Sequence, residues 1–164
     1  MSATAVRADL DPGSYRQVFR AHAASVAVIT ADAGRGPAGF TATSLVSVSL
    51  TPPLVSFALS TSASSWPTIA VATSLAVHLL GEEQHELARR FATSGIDRFD
   101  GVAWSRLSTG EPVLDDPPVR LRGTVEHRFR AGDHHIVVAR LTSADVRRPH
   151  SPLLYHDGAY ASIT

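Results

Sequence analysis

A two-residue alternation of apolar and polar side chains constrains the fold of this chain more than any other feature. Over residues 119–125, valine, leucine and glycine occupy every second position, and two arginines and a threonine stand between them. Successive side chains of a strand point to opposite faces, so this period predicts a strand with one buried face. Residues 136–141 continue the β pattern after the turn Ala131-Gly132-Asp133, which predicts an antiparallel hairpin.

Further β-type runs are separated mostly by turn residues. They are Val26–Thr30, a run from Gly39 that pairs with it, Leu54–Leu59, Leu75–Leu80, and a hairpin joining residues 153–155 to Tyr160 through Asp157-Gly158. Short helical segments do not alternate regularly with these strands. The pattern therefore favours an α+β fold based on a mainly antiparallel β-barrel over a doubly wound parallel sheet.

Three short helices are predicted among the strands. The first follows Ser14, a candidate N-cap, and presents apolar residues at helical spacing. The second covers about Trp66–Val71, with proline in its first turn. The third covers Glu82–Ala92, where Glu86 stands four residues before Arg90 and is expected to pair with it.

The bulk composition indicates one domain that needs neither disulfides nor a metal for stability. The chain has 164 residues, 15 basic and 15 acidic side chains, and no cysteine. We expect residues 1–12 to be a flexible lead-in and residues 13–164 to form the domain. The absence of a long basic run argues against nucleic-acid binding. No apolar stretch is as long as the core of a signal peptide or a membrane-spanning segment. A cytoplasmic protein is predicted, and any redox chemistry would need a cofactor.

The histidines do not predict a metal site. The chain has eight of them, without H-x-H or H-E-x-x-H spacing. His134 and His135 are adjacent, but neighbouring side chains of a strand point to opposite faces.

A hydroxyl-rich run lies between two of the predicted strands. It extends from Gly39 through Ser44 and Ser49 to the pair Pro52-Pro53. Hydroxyls and free amides of an irregular turn can bind the edge of a flat heteroaromatic ring or a phosphate. Serine and threonine also fill plain exposed connections, and composition alone does not separate the two interpretations.

This run resembles the flavin-binding segment of the flavin reductase family, which is built on the FMN-binding split barrel. Other segments match the family in the same order, and together the similarity covers about residues 15–164. These segments are Ser60-Thr61-Ser62, residues 87–92, Asp97-Arg98-Phe99, Gly132-Asp133-His134 and Leu154-Tyr155.

The resemblance implies a homodimer of split barrels with a flavin groove at the subunit boundary. FMN, or FAD, would accept hydride from NADH or NADPH, and the reduced flavin would serve a separate flavin-dependent monooxygenase. The residues implied for the flavin ring are Thr41, Ala42, Thr43 and Ser44, with Ser47 close by. The residues implied for the flavin phosphate are Ser60, Ser62 and Arg89. The residues implied for the nicotinamide side are His134 and Tyr155. The chain departs from the family pattern at Thr43 and His78, where many members carry asparagine, and at Trp66, where a small or polar residue is frequent.

Several alternatives remain open at this point. Arg89 and Arg90 could simply complement the helix dipole, although the resemblance favours Arg89 as a ligand and Arg90 as a surface residue. Arg98 could contact the cofactor or cap the preceding helix, and His134 could be an ordinary turn residue. The protein could also be a flavin carrier or sensor, or an enzyme with permanently bound flavin that acts on another organic substrate.

Overall fold

A computed structural model describes residues 8–163, and antiparallel strands dominate it. The three α-helices are α1 (Pro12–Arg20), α2 (Trp66–Ile69) and α3 (His85–Ala92), and a 3-10 turn at Glu82–Gln84 precedes α3. The first eight strands are β1 (Ala24–Ser25), β2 (Ala27–Asp32), β3 (Pro37–Ala42), β4 (Val46–Ser49), β5 (Leu54–Ser60), β6 (Ser74–Leu79), β7 (Trp104–Arg106) and β8 (Pro112–Leu114). The last four are β9 (Val119–Ala131), β10 (His134–Val146), β11 (Leu153–His156) and β12 (Ala159–Ser162).

The main sheet has seven strands in the order β3-β2-β6-β9-β10-β5-β4, and every neighbouring pair is antiparallel. Two smaller sheets join β1, β11 and β12, and β7 with β8. The predicted hairpins at residues 131–133 and 157–158 are confirmed by the β9–β10 and β11–β12 pairings. The α+β, mainly antiparallel class predicted from the sequence is therefore confirmed.

The main sheet is strongly curled. Its edge strands, β3 and β4, would lie about 29 Å apart in a flat seven-stranded sheet. Only residues 43–45 connect Ala42 to Val46, and a connection of that length spans at most about 14 Å. The curled sheet encloses one core, in which Phe40 of β3 contacts Phe57 of β5 with ring centroids 5.7 Å apart. The sheet does not close, since β3 and β4 are not paired in the described residues.

A second apolar cluster lies between β2 and α3. Phe91 of α3 packs edge-on against Phe99, with ring centroids 5.2 Å apart, and Val28 belongs to the same cluster. Ala88 and Phe91 pack in this cluster with Val28 and hold the helix on the sheet, which explains why residues 85–92 are helical despite their short length.

His78 of β6 is fully buried between the two clusters. Its Nδ1 lies 2.9 Å from the Val28 carbonyl oxygen, and its Nε2 accepts from the Leu114 amide at 3.0 Å. The Val28 carbonyl can only accept, so the ring is neutral with its proton on Nδ1. Burial lowers the pKa of His78 to about 4.

Two local predictions about the helices are wrong. The N-cap of α1 is Asp11, whose carboxylate accepts from the Ser14 amide at 2.9 Å, so Ser14 lies inside the first turn. Glu86 pairs with Arg89, at 2.5 Å, and not with Arg90. Spacings of three and four residues are both compatible with a helical ion pair, and the sequence does not choose between them.

The predicted lead-in at residues 1–12 is described only from residue 8, and Pro12 already belongs to α1. No helix within residues 8–163 has the length and apolar character needed to cross a membrane.

Candidate functional site

The connection between the edge strands carries the hydroxyl-rich segment. Two of its hydroxyls make structural bonds. Thr41 Oγ1 donates to the Ala88 carbonyl at 2.5 Å, which ties β3 to α3. Ser44 Oγ accepts from the Ala58 amide at 2.8 Å and donates to the Ala58 carbonyl at 3.2 Å.

Ser44 extends the β4–β5 pairing by means of its side chain. Val46 pairs with Ser56, so continuation of the ladder would place residue 44 opposite Ala58. The strand has already ended there, and the Ser44 hydroxyl satisfies both backbone groups of Ala58. Thr43 and Ser47 are exposed, which leaves their hydroxyls available to a ligand.

The loop after β5 lies against the β9–β10 turn. Ser60 is the β-ladder partner of His134, and Thr61 donates to the Asp133 carbonyl through its amide, at 3.0 Å, and its hydroxyl, at 3.1 Å. The Ser60 and Ser62 hydroxyls are 2.9 Å apart. The structure therefore brings Ser60, Ser62 and His134 together, beside the Ser44 connection.

His134 and His135 point to opposite faces of β10, as predicted. His134 is hydrogen-bonded to the Asp133 carboxylate at 2.7 Å, and this bond lowers the pKa of Asp133. His135 turns inward beside Leu59 and stacks on Trp66, with ring centroids 4.0 Å apart. Trp66 thus covers an inward-facing histidine at the end of the curled sheet.

Arg89 and Tyr155 form a separate group. Both line a cavity of about 640 Å³ between α3 and the β11–β12 hairpin, and Tyr160 lies on the same wall. The two tyrosine rings are 5.4 Å apart in an edge-on arrangement, and burial raises the pKa of Tyr160. Arg89 is also paired with Glu86 of α3. The resemblance implied that Tyr155 and His134 both lie on the nicotinamide side. Within one chain, however, Tyr155 is not beside His134.

Arg90 and Arg98 both bind backbone carbonyls near the end of α3. Arg90 is partly exposed and donates to the carbonyls of Arg98, at 2.9 Å, and Asp97, at 3.0 Å, so it also holds the segment that follows α3. Arg98 donates to the Thr93 carbonyl at the end of α3, which confirms the helix-capping alternative. It also donates to the Gly39 carbonyl at 2.7 Å.

The sequence reasoning did not single out Ser65. Ser65 is 3% exposed, and its hydroxyl has no hydrogen-bond partner in the described part of the chain. In the sequence, Ser65 is marked only by its position just before Trp66-Pro67, and an ordinary helix N-cap serine has the same position.

The sequence and the fold are similar to those of known proteins. The model of the flavin reductase like domain matches residues 19–164. The chain is 48% identical over 153 residues to an NADH:FMN oxidoreductase of Rhodococcus erythropolis, covering 90% of this chain and 80% of the relative. It is 32% identical over 154 residues to the reductase subunit of a flavin-dependent monooxygenase of Rhodococcus jostii, covering 94% and 79%.

A solved structure gives the same result for the fold. The flavin reductase domain protein from Arthrobacter sp. FB24 superposes with a TM-score of 0.90 at 40% identity, covering 94% of this chain and 96% of that one. Because the family model spans nearly the whole described chain, and the relatives agree in sequence as well as in fold, this chain belongs to the flavin reductase family.

Proposed function

We propose that this chain is an NAD(P)H-dependent flavin reductase that transfers hydride to flavin and supplies the reduced flavin to a separate monooxygenase. The observation that carries the proposal is the match of residues 19–164 to the flavin reductase like domain. The similarity to the Rhodococcus erythropolis NADH:FMN oxidoreductase favours FMN and NADH as the substrates. The similarity to the Rhodococcus jostii reductase subunit favours a monooxygenase partner.

The hydroxyl-rich connection fits the edge of a flavin ring. Thr43 and Ser47 are exposed there. The Ala42 side chain is buried, so we infer that Ala42 and Ser44 would take part through backbone groups of the same short segment. The Thr41 and Ser44 hydroxyls are engaged by Ala88 and Ala58, so we infer that they fix the segment rather than contact the ring. A bound flavin supplies the hydride acceptor. The residues around it align it with the nicotinamide, because hydride transfer depends on the position of the reacting atoms.

We infer that His134 contacts the nicotinamide nucleotide and that Ser60 and Ser62 lie toward the flavin side chain. All three groups are exposed or half-exposed on the same end of the sheet. Asp133 holds the His134 ring from one side through Nδ1. The other ring nitrogen, Nε2, then remains for the ligand.

We infer that the open, curled sheet is the split barrel of this family and that two copies form a homodimer. Val46, Ile136 and Phe129 lie on the outer face of β4, β10 and β9, and their exposed fractions are 55%, 38% and 53%. Large apolar side chains grouped on an exposed face are typical of an interface. The face adjoins Ser44 and Ser60, so a second copy bound there would form one side of the flavin groove.

A second copy would also explain the position of Arg89 and Tyr155. These residues lie at the α3 cavity of their own chain, away from His134. We infer that they approach the ligands of the partner subunit. Residues 13–164 would then form one reductase domain, which we place in the cytoplasm because NADH and NADPH are available there.

Turnover with defined substrates tests the function. Purified protein is mixed with NADH or NADPH and with FMN or FAD, and the loss of absorbance at the nicotinamide band is followed. We expect turnover with FMN and NADH, and weak, exchangeable flavin binding. Tight co-purified flavin without nicotinamide oxidation would instead support a carrier or sensor, and the absence of turnover in all four mixtures would reject the reductase.

A further inference from the structure

The tip of the β9–β10 hairpin is bound to the chain that follows β5. Thr61 donates twice to the Asp133 carbonyl oxygen, through its amide at 3.0 Å and through its hydroxyl at 3.1 Å. A carbonyl oxygen has two lone pairs, so these two bonds use its full acceptor capacity. Exposed hairpin tips are ordinarily among the more mobile parts of a protein. Thr61 instead fixes this tip at its second turn residue.

The same turn directs the Asp133 side chain toward His134. Gly132 has a φ of 61°, which allows the chain to reverse within two residues. The Asp133 carboxylate accepts from His134 Nδ1 at 2.7 Å, and this bond lowers the pKa of Asp133. The side chains of Asp133 and His134 are 92% and 46% exposed, and an exposed pair alone restrains its members only weakly. The restraint on the ring therefore depends on the turn backbone that Thr61 fixes.

The contact with Asp133 determines what the His134 ring offers to a ligand. A carboxylate can only accept, so Nδ1 carries the proton, and Nε2 of the neutral ring is left as an acceptor. No group within residues 8–163 bonds to Nε2. His134 is the ladder partner of Ser60, and Ser44 bonds to Ala58, two residues before Ser60. The free acceptor is therefore at the end of the sheet that carries the hydroxyl-rich connection.

Thr61 differs from the two serines beside it. The hydroxyls of Ser60 and Ser62 are 2.9 Å apart and bond to each other, so neither is used on the Asp133 carbonyl. The Thr61 hydroxyl alone reaches the hairpin tip. Thr61 thus joins the segment that we place toward the flavin to the turn that we place toward the nicotinamide, before either ligand binds.

We propose that Thr61 and Asp133 are positioning residues that hold His134 so that its Nε2 accepts a hydrogen bond from the carboxamide of the reduced nicotinamide. The proposal rests on the proposed function, since it concerns the hydride donor of the same reaction. The ring nitrogen of a reduced nicotinamide bears the ribose, so the carboxamide NH₂ is the N–H donor of the ring, and it suits a free acceptor. A fixed carboxamide sets the rotation of the nicotinamide over the flavin, on which the alignment for hydride transfer depends.

The test compares NADH with its reduced 3-acetylpyridine analogue, in which a methyl ketone replaces the carboxamide and the NH₂ donor is lost. Dissociation constants are measured without flavin by isothermal titration calorimetry, and kcat/KM is measured with FMN. We expect His134→Ala and Asp133→Ala to weaken NADH binding about fivefold, and Thr61→Val about threefold because its amide bond remains. Binding of the analogue should change by less than about twofold in all three variants, and kcat/KM should follow the same pattern.

Conservative variants and matched controls separate positioning from folding. Thr61→Ser keeps the hydroxyl and should return NADH binding to within about twofold of the wild type. Thr73→Val and Asp9→Ala change an exposed threonine and an exposed aspartate outside the site, and they should leave both dissociation constants unchanged.

Nitrogen-15 NMR of the ligand-free protein supplies a readout that is independent of activity. The His134 ring resonances, assigned by their loss in His134→Ala, should show a proton on Nδ1 in the wild type. They should shift toward an Nε2-protonated ring in Asp133→Ala, because the hydrogen bond of one ring nitrogen sets the state of the other. A wild-type ring protonated only on Nε2 would overturn the proposal.

The remaining outcomes are distinguishable. Equal weakening of NADH and the analogue would mean that these residues act through the fold, and unchanged NADH binding in Asp133→Ala would mean that the ring needs no positioning. Either result overturns the proposal. If the wild type reduces FMN with NADH but binds the analogue equally well, only this proposal fails. If the wild type oxidises neither NADH nor NADPH with either flavin, the proposed function itself fails.

Discussion

His78 shows how a single buried side chain can set the pH range over which this protein is stable. Both ring nitrogens are engaged by backbone groups of β2 and β8, and the ring must be neutral to keep both bonds. A histidine, unlike an asparagine, can become charged. His78 therefore gives the chain an acid sensitivity.

We predict that His78 lowers the stability of the protein in mild acid. The pKa of His78 is about 4 in the folded protein and about 6.5 in the unfolded chain, so the unfolded chain binds the proton first. The free energy of unfolding should therefore fall as the pH decreases from about 6.5 to about 4, by about 3 kcal/mol in total from this group. Urea unfolding at a series of pH values measures the slope.

His78→Asn should make that slope shallower, whatever it does to stability at neutral pH. The matched control is His22→Asn, which replaces an exposed histidine and should leave the wild-type slope unchanged. An identical slope in His78→Asn and the wild type would show that other groups cause the acid sensitivity.

At the level of the elements, the connection of residues 43–45 holds the sheet and carries groups that we propose for the ligand. Ser44 takes the place of a missing ladder residue at Ala58, while Thr41 ties the preceding strand to α3. The segment is thus fixed before any ligand binds, which is the arrangement needed for precise alignment of a flat ring.

We predict different stability effects for two serines of this region. Ser44→Ala leaves the half-buried Ala58 amide and carbonyl without a partner and should lower the free energy of unfolding by about 1–2 kcal/mol. Ser47→Ala removes an exposed hydroxyl and should change it by less than about 0.5 kcal/mol. Urea unfolding of the flavin-free proteins measures both values, and equal effects would contradict the role assigned to Ser44.

The elements could largely be predicted from the sequence, whereas the bonding within the site could not. Alternation, turn residues and helical spacing are local signals, and they identified the hairpins and the three helices. The partner of Thr41 is 47 residues away in the chain, and that of Arg98 in β3 is 59 residues away. Such pairs depend on how the sheet curls, so the sequence identified the hydroxyl-rich segment but not which hydroxyls stay free, nor the buried hydroxyl of Ser65.

At the level of the whole molecule, the predicted site residues fall into two groups that one chain does not bring together. The first surrounds Ser44, Ser60 and His134, and the second lies at the α3 cavity with Arg89 and Tyr155. A homodimer is the arrangement that could unite them, and the exposed outer face of the sheet is the surface available for it.

We predict that Val46→Asp disrupts the proposed dimer. A carboxylate on the apolar face would lose its hydration if a second copy covered it, which strongly disfavours association. Light scattering after size exclusion should show a shift to monomer, with a higher KM for FMN. Val71→Asp is the control, because Val71 is equally apolar and 67% exposed but lies near α2. A Val46→Asp protein that stays dimeric would place the interface elsewhere.

The short link between the two edge strands also limits how related chains can vary in length. Extra residues in the turn at Gly34, between β2 and β3, only lengthen a surface hairpin, and the backbone there can absorb them. An insertion between Ala42 and Val46 would lengthen the connection that keeps the sheet curled and would displace the groups that we propose for the ligand. Insertions and deletions should therefore be tolerated in the turn at Gly34 and be deleterious between β3 and β4.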